Sequence, residues 1–209
     1  SGQWLPMKDL LDLSKYFAYF KVNQIHIHVN ENAGQQNYAF RIESKKYPAI
    51  NSTLGDRIYT QEEYRAYQTE MLKYGVKIIT EIDSPAHCGF VGLYDSSLVL
   101  SSSKGKMDLT NDYDGCVEFM KGLLDEFVNG YDGNPPVIID EIDAIHLGMD
   151  EAHMLGRGKH LDIHGYEPIN KIMDNIANKY RFIIIQINSA FSALSQLGVG
   201  PLEGFSITD

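Results

Sequence analysis

The stretch QIHIHVN, residues 24–30, decides the fold class because it alternates without a break. Ile25, Ile27 and Val29 fall on one face of an extended chain, and Gln24, His26, His28 and Asn30 fall on the other. Two later segments repeat the pattern. In residues 144–150, Ile145, Leu147 and Met149 oppose His146, Gly148 and Asp150; in residues 182–188, Ile183, Ile185 and Ile187 oppose Gln186 and Asn188. In residues 76–83, Glu81 and Asp83 share one face, although Ile79 shares it with them. Strands of an open doubly wound sheet are covered by helices on both faces and read as nearly continuous apolar runs. A strand with one apolar face, and another that gathers His, Asp, Glu and Asn toward its C-terminal end, suits the wall and mouth of a barrel.

Working outward, a helical repeat precedes each strand. Leu10, Leu13, Phe17 and Phe20 recur at helical spacing before the first. Thr60-x-x-Glu63 is a capping box that opens a second helix, which Gly75 can close. Cys116, Met120, Leu123 and Phe127 lead to a stop at Gly130, and Ile169, Ile172, Met173 and Ile176 share the face of a fourth helix. Four helix–strand units in series call for a parallel sheet with right-handed crossovers. The predicted fold class is therefore α/β, of the (β/α)8 TIM-barrel type. A complete barrel takes about 250 residues. With 209 residues, four strands and a weaker candidate at 204–208, the chain reads as one barrel segment over 1–209, an incomplete barrel of about four to five β/α units. The remainder of the barrel is then its expected partner.

Charge and composition narrow the function. Acidic residues outnumber basic ones 28 to 18, and the net charge of −10 with no local Lys/Arg cluster opposes a nucleic-acid partner. The apolar runs are too short for a membrane-spanning segment. Cys88 and Cys116 have neither metal-ligand spacing nor the density of a disulfide scaffold, and read as free thiols.

The sharpest chemical feature is AIHLGMDEAH, residues 144–153, where a strand delivers Asp150 and Glu151 at the point where the chain leaves the barrel rim. Neighbouring carboxylates share a pocket only if the backbone turns between them. An ionised Asp150 together with burial would then keep Glu151 protonated, as a general acid requires. Taken alone, the pair reads more readily as a solvated acidic loop or a helix N-terminus, since Asp-Glu pairs are common.

The surrounding segments favour the first reading. HLGMDE resembles the His-x-Gly-x-Asp-Glu signature of the family 20 glycoside hydrolases, the β-N-acetylhexosaminidases and their lacto-N-biosidase relatives. KVNQIHIHVNEN at 21–32 is similar to the family's Lys-x-Asn strand and the loop after it, FRIES at 40–44 to the segment that follows, and YTQEEYRAYQTEMLKYGVKIITEIDSPAH at 59–87 to its Tyr-Thr helix and Glu-x-Asp-x-Pro-Gly-His turn. The resemblance implies release of terminal N-acetylhexosamine, or lacto-N-biose, from a glycan substrate by a retaining, substrate-assisted mechanism. In that mechanism the substrate's own acetamido oxygen attacks the anomeric carbon to give an oxazolinium ion. It implies Glu151 as general acid and base and Asp150 as acceptor of the acetamido N–H. It also implies His87 with Glu31 as support for the acid, and Asp83 in the same turn; beside these, His146 reads either as the pocket floor or as a core histidine bonded to a neighbour, and Arg41 either as reaching a sugar hydroxyl or as a solvated loop arginine. No cofactor and no metal is called for, and an extracellular or cell-surface setting is expected.

The chain departs from the pattern in several places. Glu31 stands where the common residue is Asp, Ala86 where Gly is usual, and QINSAF at 186–191 where Trp-Asp is frequent; Trp4 is the one tryptophan. The family's sugar-holding arginine belongs to a strand before residue 1. Two alternatives stay open on residues alone. His26-x-His28 is similar to the metal-binding start of an amidohydrolase barrel, and an impaired barrel could serve as a glycan-binding or interaction module.

Overall fold

In the computed structural model, which describes residues 4–33, 37–101, 103–109, 111–148 and the backbone of 183–185, the first predicted helix and strand form where the periodicity puts them. Helix α1, Met7–Tyr19, starts behind Pro6, whose carbonyl accepts the Asp9 and Leu10 N–H groups at 2.9 and 3.0 Å. It stops at a turn in which Lys21 takes a φ of 65°. Strand β1, Gln24–His28, follows and passes into a hairpin of β2, Asn30–Ala33, and β3, Asn37–Phe40. A 3-10 turn, Pro48–Asn51, leads to α2, Gln61–Leu72, opened by the predicted capping box: the Thr60 hydroxyl accepts the Glu63 N–H at 3.1 Å and the Glu63 carboxylate accepts the Thr60 N–H at 2.9 Å. Gly75, at a φ of 72°, turns the chain into β4, Lys77–Glu81.

The next crossover holds a short helix α3, Val91–Tyr94, a second hairpin of β5, Val99–Leu100, and β6, Ser103–Met107, and the long helix α4, Tyr113–Asn129. Asp112 caps α4 by accepting the Gly115 N–H at 3.1 Å, and Gly130, at a φ of 86°, ends it. Strands β7, Ala144–His146, and β8, Ile183–Ile185, complete the described sheet. Its order is β1-β4-β7-β8, parallel throughout. This is part of a (β/α) barrel wall, as the alternating faces predict.

One apolar layer joins strands and helices. Ile78 of β4 packs with Tyr64, Tyr67 and Met71 of α2, and the predicted α4 stripe of Cys116, Met120, Leu123 and Phe127 is fully or nearly fully buried in the same cluster. The Tyr64 hydroxyl meets Thr80 Oγ1 at 2.8 Å, so even the polar atoms on this side of β4 are paired. Ile25 and Ile27, predicted as core, are only half-buried, because β1 has β4 on one side and, among the described residues, no strand on the other.

The strands are shorter than their sequence pattern. β1 ends at His28 and β7 at His146, although Ile82 N–H to His146 O at 2.9 Å and Ser84 N–H to Leu147 O at 3.2 Å carry the pairing further. Neither hairpin follows from the alternation, since Asn30–Ala33 and Ser103–Met107 are polar or lysine-rich strands held by pairing rather than by an apolar face. The predicted helix through Ile176, the rest of strand 182–188 and the candidate at 204–208 lie outside the described residues.

Candidate active site

Parallel register creates the site. His28 on β1, Glu81 on β4 and His146 on β7 are direct partners across three adjacent strands, so side chains that alternation places on one face arrive at one level. Glu81 is almost fully buried and is surrounded by imidazoles: His26 Nε2 lies 2.7 Å and His28 Nδ1 3.1 Å from Oε2, while His146 Nδ1 lies 3.5 Å from Oε1. A carboxylate only accepts, so His26 Nε2 and His28 Nδ1 carry the protons. His146 Nδ1 instead accepts the Gly148 N–H at 2.9 Å, and at 3.5 Å it donates nothing to Glu81. Burial would push the Glu81 carboxyl up, but the surrounding imidazoles outweigh it and hold the group far below the usual carboxylate range. The hydrogen bond to Glu81 raises the His28 pKa above 6.5 against the opposing effect of burial.

A second group lies just beyond the strand ends. Asn30 clamps the turn after β4 to the end of β1: its side-chain oxygen accepts the Asp83 N–H at 2.9 Å, and its amide donates to the Asp83 and His87 carbonyls at 2.9 and 3.1 Å. That clamp holds His87 at a φ of 54°, a left-handed backbone that a non-glycine residue keeps only when its surroundings demand it. The His87 ring is thereby aimed at Glu31, with Nδ1 2.6 Å from Oε1, and its Nε2 lies 4.0 Å from Asp83 Oδ2. Burial would raise the Glu31 carboxyl, yet the Asn32 N–H and the His87 contact outweigh it and hold the group below its usual value. His28 links the two groups, since its Nε2 is 3.8 Å from Glu31 Oε2 while its Nδ1 faces Glu81.

Gly148 explains one position of the predicted signature. Its φ is 65°, and a side-chain carbon added there would collide with the Asp83 carboxylate. Only glycine lets the segment after β7 pass so close to the turn after β4. Two residues later comes Asp150; it and Glu151 lie outside the described residues.

Of the other predicted residues, Glu31, Asp83, His87 and His146 are brought together at the C-terminal ends of β1, β4 and β7. Arg41 is turned elsewhere, donating Nη1 to the Arg57 carbonyl at 3.1 Å, and burial followed by the Arg57 charge lowers its pKa. The sequence reading gave no site role to Glu81 or Asn30, and considered His28 only as part of a metal-binding alternative. Their signal was parity: each lies an even number of residues from His26 or Asp83 on the polar face. Cys88 and Cys116 are buried free thiols, as expected; burial pushes Cys116 up to about 12 and Cys88 well above the ordinary thiol value, which leaves both inert as nucleophiles.

Comparison with known proteins agrees with this geometry. The family model described as glycosyl hydrolase family 20, catalytic domain, matches residues 1–191. A Beta-hexosaminidase of Akkermansia muciniphila is 29% identical over 96 residues, which are 40% of this chain and 18% of that protein. Among solved structures, the β-N-acetylhexosaminidase of Bacteroides fragilis superposes with a TM-score of 0.69 at 19% identity, covering 90% of this chain and 40% of that one. A GH20 β-N-acetylhexosaminidase of Streptomyces coelicolor A3(2) does so with a TM-score of 0.66 at 17% identity, covering 98% of this chain and 40% of that one. The chain thus spans two fifths or less of the length of these relatives.

Proposed function

The chain belongs to glycosyl hydrolase family 20, and from that premise we propose that it is the acid-bearing part of a glycosidase barrel that releases terminal N-acetylhexosamine, or lacto-N-biose, from glycans. The reaction is retaining and substrate-assisted: the acetamido oxygen attacks the anomeric carbon, the bond to the leaving oxygen breaks, and water opens the oxazolinium ion. Glu151 gives its proton to the leaving oxygen and later takes one from that water. Asp150 accepts the acetamido N–H and stabilises the positive charge that grows on it. Glu31 and His87 form the ionic support beside this pair, Asp83 holds the approach of the segment carrying it, and His146 lies beneath. Arg41, whose Nη1 donates to the Arg57 carbonyl, has its remaining guanidinium N–H groups to offer a sugar hydroxyl.

The observation that carries the reading is the His87–Glu31 contact of 2.6 Å, made at the same strand ends where Gly148 passes Asp83. A carboxylate–imidazole pair at the C-terminal rim of a parallel barrel wall is the arrangement that proton transfer in such a fold uses. The rest of the barrel is part of the proposal. Tyr16, Tyr19 and Phe20 form an exposed aromatic group at the end of α1, with ring centroids 5.1 and 5.5 Å apart, and among the described residues one edge of β1 has no strand beside it. A further β/α unit packed there would cover both and dry the carboxylates.

The test is hydrolysis of 4-nitrophenyl N-acetyl-β-glucosaminide by the chain and by a longer form that encloses it. Glu151→Gln is expected to lower kcat by about 10²–10⁴-fold in whichever form is active. A thiazoline mimic of the oxazolinium ion should bind that form at micromolar or better affinity. If chain, longer form and variant are equally inactive, the reading is wrong.

A further inference from the structure

The ionic contacts of Glu81 among the described residues are all with imidazoles, side chains that ligate a metal ion through whichever ring nitrogen is unprotonated. A buried carboxylate ringed by imidazoles, with Asp83 and Glu31 nearby, is a centre of negative potential within reach of nitrogen ligands. That combination attracts a divalent transition-metal ion more than a lysine or a sugar hydroxyl.

The structure assigns a Zn²⁺-binding site to His26, Glu81 and His146. Their donor atoms all lie within 4.8 Å of one another, the two rings stand with centroids 4.4 Å apart, and each ligand comes from a different strand of one sheet. Tetrahedral zinc with bonds of about 2.0–2.1 Å needs ligand atoms roughly 3.3 Å apart. His26 Nε2 lies 2.7 Å from one Glu81 oxygen and His146 Nδ1 3.5 Å from the other. Closure on an ion asks for rotation of the three side chains, on a backbone fixed by parallel pairing. His26 moves its proton from Nε2 to Nδ1 to present a lone pair. His146 already holds Nδ1 unprotonated, since that atom accepts the Gly148 N–H. Two histidines and one glutamate leave a fourth position open, and the His26 side chain, 42% exposed, marks the route by which the ion and its water enter. The alternative set of His28, Glu81 and Asp83 offers one nitrogen against two carboxylates and is the poorer match for zinc.

This site does not rest on the glycosidase reading, and the ion is a ligand of the fold, not a participant in that reaction. Coordination through His146 Nδ1 takes the place of the Gly148 N–H contact.

Calorimetric titration of the chain with ZnCl₂ is the test, with MgCl₂ as the hard-cation control. Binding of one ion that weakens by roughly tenfold or more in His26→Ala, and again in Glu81→Gln, is expected, with no heat from Mg²⁺. His26 is exposed enough for its alanine variant to fold, which circular dichroism checks directly. His153, His160 and His164 are the other histidines that a competing site would use. Zinc binding that is unchanged in His26→Ala therefore overturns the assignment, as does a wild-type chain that binds no zinc.

Discussion

Two glutamates are buried among the described residues, and their partners separate structure from chemistry. Glu126, on α4, accepts the Ser44 hydroxyl at 2.6 Å, the Lys45 N–H at 2.6 Å, the Lys46 N–H at 3.3 Å and the Gln61 amide at 2.8 Å. None of these donors changes charge near neutral pH. They tie the loop after β3, the start of α2 and the end of α4 into one knot on the outer layer. Glu81, on the inner face, is held by imidazoles alone among its described ionic contacts. Both carboxylates are desolvated and satisfied. One is held by groups that fix a shape, the other by groups that move protons or take a metal, and burial by itself distinguishes neither.

The largest expected effect tests that contrast. Glu126→Ala leaves a hydroxyl, two backbone N–H groups and an amide without their acceptor, at about 1–3 kcal/mol for each group that water cannot reach. We expect a loss of about 3 kcal/mol or more, read as a lower urea midpoint with an unchanged slope. Glu81→Gln keeps an acceptor but removes the charge that the imidazoles hold, so its cost should be smaller than that of Glu126→Ala and should shrink as pH rises through the raised His28 value. Equal losses in the two variants would break the comparison, since Glu81 would then be as structural as Glu126.

A smaller effect is expected at the contact between strand ends. Gly148→Ala forces a side chain into a left-handed backbone and against the Asp83 carboxylate, at a cost of about 1–3 kcal/mol. Gly133→Ala has the same kind of backbone, with a φ of 77°, and open space around it, so it isolates the backbone contribution. Thermal unfolding should show the Gly148 variant as the less stable of the two. A Gly148 variant no less stable than the Gly133 variant would mean that Asp83 does not depend on that close approach.

How much of this was legible in the sequence follows from the same geometry. Alternation in residues 24–30 and 144–148 fixed the polar face, and the capping box and glycine stops fixed α2 and α4, because these are local signals with one structural outcome. The pairing of Glu31 with His87 came from resemblance and not from spacing, since 56 residues separate them and only the hairpin and the Asn30 clamp bring them together. Glu126 carries no sequence signal at all: its four donors come from Ser44, Lys45, Lys46 and Gln61, and nothing on α4 announces them. Arg41 shows the reverse case, a charged residue beside a recognised segment whose guanidinium donates to the Arg57 carbonyl.

The smallest effect is the most specific to the inner face. The folded-state pKa of His28 is raised above 6.5, chiefly by its hydrogen bond to Glu81. The stabilisation it provides is therefore complete below the unfolded value near 6.5 and is lost as pH rises through the raised folded value. Glu31 behaves oppositely: its carboxyl is lowered, so its contribution is present above the unfolded value of 4.5 and is lost as pH falls through the folded one. Between those limits His28 is a cation flanked by two carboxylates, and the inner face is at its most stable. A nuclear magnetic resonance titration of the His28 ring should give a midpoint above 6.5 in the wild type and a lower one in Glu81→Gln, whereas Glu126→Gln should leave it unmoved. A wild-type midpoint at or below 6.5, or one that Glu126→Gln shifts as far as Glu81→Gln does, would remove the distinction between the two glutamates.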